Sequence, residues 1–181
     1  MWLYIRQLVQ LVLSPASAWD DISSSARTPD EVQRRGFYPW LAVTALSELL
    51  RLCYEPTLSV WVALESAIAV AGAMFASVYV ARLILDVTLP ARVDGQLNVA
   101  KVAVFVLYNV GLVCFYRVVA NVLPTSLTIV HFLPLLSLPV IFRGARYVGV
   151  RSDSVMAFVG LALIAAVIVP MVLAALLLLI V

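Results

Sequence analysis

Apolar residues in this chain run in long unbroken stretches, and the polar residues between them are few and clustered. Five stretches stand out, at residues 37–54, 58–85, 99–123, 126–142 and 155–181. They are joined by "EPT", "DVTLPARVDGQLN", "PTS" and "RGARYVGVRSD". A helix needs about 20 apolar residues to cross a bilayer, whereas a barrel strand alternates over about 10. Continuous runs of this length therefore predict helices, whose backbone groups satisfy one another where lipid offers no partner. The connectors "EPT" and "PTS" leave room only for tight turns, so the flanking runs are expected as hairpins. Pro134 and Pro139 are expected to kink the fourth run, and Pro170 the fifth more mildly.

Ahead of the first run, "MWLYIRQLVQLVLSPASAWDDI" has a different pattern. Gln7, Gln10, Ser14 and Ser17 recur at helical spacing as one polar stripe, with Trp2, Ile5, Leu8, Val9, Leu11 and Val12 around the rest. This predicts an amphipathic helix lying in the membrane interface, with Trp2 and Tyr4 at headgroup depth. Ser14 followed by Pro15 reads as an N-cap and first-turn pair opening a second short helix. In it Asp20 and Asp21 would face water and Trp19 would dip into the interface. Ala16-Ser17-Ala18 resembles a leader-cleavage site, but Arg6, Gln7 and Gln10 interrupt the apolar core that a leader requires. The segment is read as retained. The expected fold is an all-α integral membrane protein, five transmembrane helices preceded by a short N-terminal interfacial helix. Residues 1–35 form the cytosolic or interfacial segment and 36–181 the membrane domain.

Composition strengthens this reading. Of 181 residues 64% are hydrophobic and 12% charged, more apolar side chain than a water-surrounded globule can hide. A net charge of +2 gives no footing for nucleic acid. The placement of the charge is more informative. Arg6, Arg27, Arg34 and Arg35 precede the first run, Arg82, Arg92 and Lys101 flank the second connector, and Arg143, Arg146 and Arg151 flank the fourth. With five spans these segments share one side, leaving only Arg51 and Arg117 near the other. That asymmetry places the N-terminus in the cytoplasm and the C-terminus outside. The cytosolic arginines Arg34, Arg35, Arg143, Arg146 and Arg151 could also meet anionic lipid. Cys53 and Cys114 lack metal spacing and read as small core hydrophobes.

Candidate chemistry is confined to ionisable groups at membrane depth. Glu48, Arg51, Glu65, Arg117, Asn121 and His131 all fall within roughly 5 to 12 Å of the outer ends of their spans, at a rise of about 1.5 Å per residue. Glu48, Arg51, Glu65 and Arg117 balance in sign, so Glu48–Arg51 and Glu65–Arg117 are the expected pairs. Such a cluster either locks helices together or lines a pocket for an ion, proton or lipid headgroup. His131 has no second ligand at helical spacing, so no metal is expected. Asn109, near mid-span, is expected to bond across helices. Gly72, Ala76 and Val80 recur at four-residue steps beside Ala69 and Ala73, a pattern that lets helices approach closely. No H-E-x-x-H, G-x-S-x-G or glycine-rich phosphate loop is present, so neither an enzyme nor a cofactor is expected.

Three stretches resemble the Yip domain family, named for interaction with Rab-type GTPases, and in particular its bacterial branch. "LVLSPASAWDDI" is similar to that branch's opening helix followed by Ser-Pro and Ala-Trp, here Ser14, Pro15 and Trp19. "YVARLILDVTLPARVDGQLNVAKVAVFVLYNVG" resembles its second span, glycine-bearing cytosolic loop and span 3 tyrosine, here Gly95 and Tyr108. "LPVIFRGARYVGVRSDSVMAFV" resembles the Arg-Gly end of span 4, here Arg143 and Gly144. The resemblance implies a compact five-helix bundle in a bacterial inner membrane. The Asp-Leu-Tyr-Gly-Pro motif of eukaryotic members is absent, as is the proline that commonly follows the tyrosine, so Rab binding does not carry over. The expected role is a non-enzymatic adaptor or accessory subunit binding other integral membrane proteins. The alternative is a small transporter or lipid-handling protein using the outer polar cluster.

Overall fold

A computed structural model describes residues 1–93, 95–123 and 128–180, with backbone alone for 128–131. Among them the chain is all helical: α1 (Trp2–Leu13), α2 (Pro15–Ser24), α3 (residues 29–53), α4 (Val60–Thr88), α5 (Val99–Val122), α6 (residues 128–148) and α7 (Ser152–Leu178). The described residues form no strand, only an isolated bridge between Val93 and Val150. Side-chain caps set three of the starts by satisfying orphan N–H groups. Thr28 Oγ1 accepts from Glu31 N–H at 3.3 Å, Ser59 Oγ from Val62 N–H at 3.2 Å, and Asn98 Oδ1 from Lys101 N–H at 3.1 Å. Pro15 occupies the first turn of α2, while Ser14 Oγ accepts from the Ser17 hydroxyl rather than from the backbone. Gly149, at φ +88°, ends α6 in the left-handed conformation that glycine adopts without steric cost.

Two prolines inside helices are accommodated by wide π turns. Gln33–Phe37 precedes Pro39 and Ile164–Ile168 precedes Pro170, so α3 and α7 continue where a regular turn would collide with the ring. In α6 the chain around Pro134 tightens to a 3-10 helix, and regular α geometry resumes at Ser137 with Pro139 in its first turns. The division at residues 35 and 36 falls inside α3. The apolar run from residue 37 is thus the later part of a helix that starts at Pro29.

Helix α5 is the axis of the bundle, with every residue from 102 to 114 buried. Helices α4, α5 and α7 are long and apolar enough to cross a membrane, which marks the chain as an integral membrane protein. Their outer faces are apolar too, with Trp61 at 75% exposure and Ile68 at 73%. The described connectors gather at two ends. Arg151 N–H donates to the Arg92 carbonyl at 3.0 Å, joining the second and fourth connectors. Tyr54 O–H donates to the Asn121 carbonyl at the opposite end, where α3 and α5 finish.

The N-terminal helices depart from expectation. Instead of placing all its polar residues on one outer stripe, α1 turns Tyr4, Gln7, Leu8 and Leu11 into the core. Gln7 Oε1 accepts from Tyr108 O–H, and Tyr4 O–H donates to the Leu107 carbonyl at 2.7 Å. Tyr4 is therefore packed inside the bundle and not on an outer face. Trp19 does not dip into the interface either: it is buried, and its indole N–H donates to the Val140 carbonyl at 2.9 Å. Hydrogen-bonding partners on α5 and α6 draw these groups inward, which helical periodicity within α1 cannot reveal. Asp20 and Asp21 are exposed.

Candidate functional site

The ionisable residues of α3 and α5 converge on one buried carboxylate. Glu48 is fully buried and accepts from Arg117 through Nε at 2.7 Å and Nη2 at 3.0 Å, a bidentate pairing between helices. Asn121, one turn beyond Arg117, donates to Glu48 Oε1 at 2.8 Å and to Ser47 Oγ at 2.9 Å. Arg51 lies 3.5 Å from Glu48 Oε2 and forks onto Glu55 at 3.2 and 2.9 Å. Glu48, Arg51, Glu55 and Arg117 thus form a neutral quartet closed by Asn121. The chemistry available is cohesion between helices: the acceptor positions of Glu48 are occupied, and the guanidinium groups are held by carboxylates.

This arrangement corrects the expected pairing of Glu65 with Arg117. Glu65 is exposed on the outer face of α4 and has no ion-pair partner among the described residues. The inward face of α4 carries Ala63, Ser66, Val70, Ala73 and Ser77; at about 100° per residue, Glu65 points about 120° away from it. Glu55 takes its place in the charge balance. It opens the "EPT" connector, yet a carboxylate four residues after an arginine is a signal for a same-face pair. His131 lies outside the described side chains. Among the described residues Asn109 makes no bond across helices: its Nδ2 donates to the Phe105 carbonyl of its own helix at 2.8 Å, and its buried Oδ1 finds no partner there. Cys114 is buried, whereas Cys53 is exposed and so is not a core residue. Among the described residues no group of three or more His, Cys, Asp or Glu side chains is placed to hold a metal ion.

Arg117 also edges an apolar cavity of about 330 Å³ lined by Met74, Val113, Tyr116, Ala120 and Met171. Gly72, Ala76 and Val80 face outward on α4, while Ala69 and Ala73 pack inward.

At the other end of the bundle, motif positions distant in sequence meet in one aromatic joint. Trp19 stacks on Phe105 at 5.5 Å and on Tyr147 at 4.9 Å, and meets Tyr108 edge-on at 6.2 Å. Tyr108 in turn stacks on Tyr4 at 5.0 Å. Gly144 is required by this packing, since a Cβ there would sit 2.5 Å from Phe105 Cε2 and 3.2 Å from Trp19 Cε2. Ser14 and Pro15 form the corner that returns α2 toward the joint. Gly95 adopts φ +78° in the second connector, and Arg143 is exposed on α6. Burial pushes the Tyr147 phenol up to about 12 and raises that of Tyr4, so both stay neutral at physiological pH.

Comparison with protein-family models, curated proteins and solved structures returns no match to this chain.

Proposed function

We propose that the chain is a polytopic inner-membrane protein of the Yip-like type, crossing the bilayer five times, and that it acts as a non-enzymatic adaptor or accessory subunit for other integral membrane proteins. In this reading α3 and α6 complete the set of spans begun by α4, α5 and α7. The N-terminus and the arginine-bearing connectors face the cytoplasm, with anionic lipid at Arg143 and Arg146, which no described carboxylate pairs, and the C-terminus lies outside. The meeting of the second and fourth connectors at Arg92 and Arg151, opposite the Tyr54–Asn121 contact, supports an alternating path.

The observation that carries the adaptor role is the outer face of α4. Gly72, Ala76 and Val80 lie exposed among apolar neighbours, and a Cβ added at Gly72 would meet nothing within 4 Å. Close approach of another helix is the use such a face has in lipid. Extraction in mild, lipid-retaining conditions followed by co-purification tests this. A stoichiometric membrane partner is expected with the native chain and lost with G72L/A76L, while thermal unfolding stays unchanged. A chain that emerges alone, or a partner retained by the variant, would overturn it. The second reading, lipid handling, is favoured by the apolar cavity beside Arg117 and gains support if an acyl chain co-purifies there.

A further inference from the structure

The basic residues at the connector end are unequal in their surroundings. Arg34 pairs with Asp30 at 2.9 Å, Arg35 with Glu31 at 3.9 Å, and Arg151 with Asp153 at 3.3 Å. Lys101, Arg143 and Arg146 instead line one concave cavity of about 700 Å³, between α2, the start of α5 and the end of α6. Trp19 and Tyr147 line the same cavity, and the Lys101 ammonium sits 5.6 Å from the Tyr147 ring centroid. Asp20 is the one carboxylate in the lining, so three cations face one acid. No described carboxylate forms an ion pair with any of the three cations.

From this convergence we propose that the cavity binds a phosphate-bearing anion, held by Arg143, Arg146 and Lys101. Arg143 and Arg146 are three residues apart and so emerge on one side of α6. Guanidinium groups match phosphate oxygens bidentately, and lysine supplies a point charge to the same group. The ring of Tyr147 orients the ammonium and remains uncharged, so it does not compete for it. The geometry suits either an anionic phospholipid headgroup or a soluble phosphate. The lipid source rests on the reading that this end of the bundle lies at a bilayer surface. The soluble source does not, and neither depends on a protein partner, so these readings fail separately.

The test titrates the purified full chain in neutral detergent with short-chain phosphatidylglycerol, with short-chain phosphatidylcholine and with inorganic phosphate. Saturable binding of phosphatidylglycerol over phosphatidylcholine assigns the lipid source, and saturable binding of inorganic phosphate assigns the soluble one. With either ligand, K101Q/R143Q/R146Q is expected to weaken affinity about a hundredfold, at roughly fivefold per cation near an anionic surface. R34Q/R35Q, which removes cations already paired, is expected to change it less than threefold. R143Q and R146Q singly, both at exposed side chains, should each cost about fivefold and serve if the triple variant does not fold. Absence of saturable binding by both phosphate ligands, or equal weakening per charge in the R34Q/R35Q control, would overturn the proposal.

Discussion

Replacing Arg117 by methionine keeps most of the side-chain length and removes the charge that Glu48 faces most closely. Glu48 would then retain Asn121 at 2.8 Å and a longer contact to Arg51 at 3.5 Å, but lose both short guanidinium bonds. Breaking a buried pair costs about 3–5 kcal/mol, and an uncompensated charge at membrane depth at least about 2.5–3.5 kcal/mol. The remaining Arg51 contact places the expected loss near the low end, about 3 kcal/mol. E48M strands Arg117, whose side chain is 31% exposed and can turn its head outward, so about 2 kcal/mol is expected. The double variant E48M/R117M removes both charges at once. Asn121 keeps Ser47 at 2.9 Å and Arg51 keeps Glu55 at 2.9 Å, so the combined cost should stay at or below about 2 kcal/mol. The cycle therefore carries a coupling of about 3 kcal/mol, read by SDS titration of the folded protein with far-UV circular dichroism. E65Q, at an exposed unpaired position, should stay within about 0.5 kcal/mol. Additive single losses, or an E65Q loss equal to that of R117M, would refute the assignment of Glu48 as the hub.

Two further outcomes are expected. A membrane-impermeant maleimide should modify Cys53 from the outer side and leave Cys114 unmodified, because Cys53 is exposed at the end of α3 that the proposed orientation places outside and Cys114 is buried in α5; labelling of Cys53 only from the cytoplasmic side would reverse that orientation. G144A should destabilise by about 1–3 kcal/mol in the same SDS titration, since its methyl group overlaps the Phe105 ring, whereas G72A should be neutral or slightly stabilising; equal effects would contradict the aromatic joint.

The helical class was legible because lipid imposes a simple rule on sequence. A backbone surrounded by hydrocarbon must satisfy itself, so long apolar runs between charged connectors become helices whatever they pack against. Residues 58–85, 99–123 and 155–181 correspond in this way to α4, α5 and α7. Local spacing also disclosed Glu48 with Arg51, a neighbour pair within one helix, and it held the Arg51–Glu55 pair as well.

What spacing within a helix cannot contain is the rotation of one helix against another. That rotation sends Arg117 to Glu48 and leaves Glu65 facing outward, though both carboxylates lie at comparable depth in sequence terms. It likewise turns Gln7, Tyr4 and Trp19 into the bundle, where Tyr108, Leu107 and Val140 supply their partners across gaps of about a hundred residues. The sequence alone determined that helices form and where the three long apolar ones run, because those outcomes depend on neighbours three or four residues away. Which polar groups meet was decided only by tertiary packing, because a desolvated donor takes whichever acceptor close packing brings within reach, and that choice is made between helices.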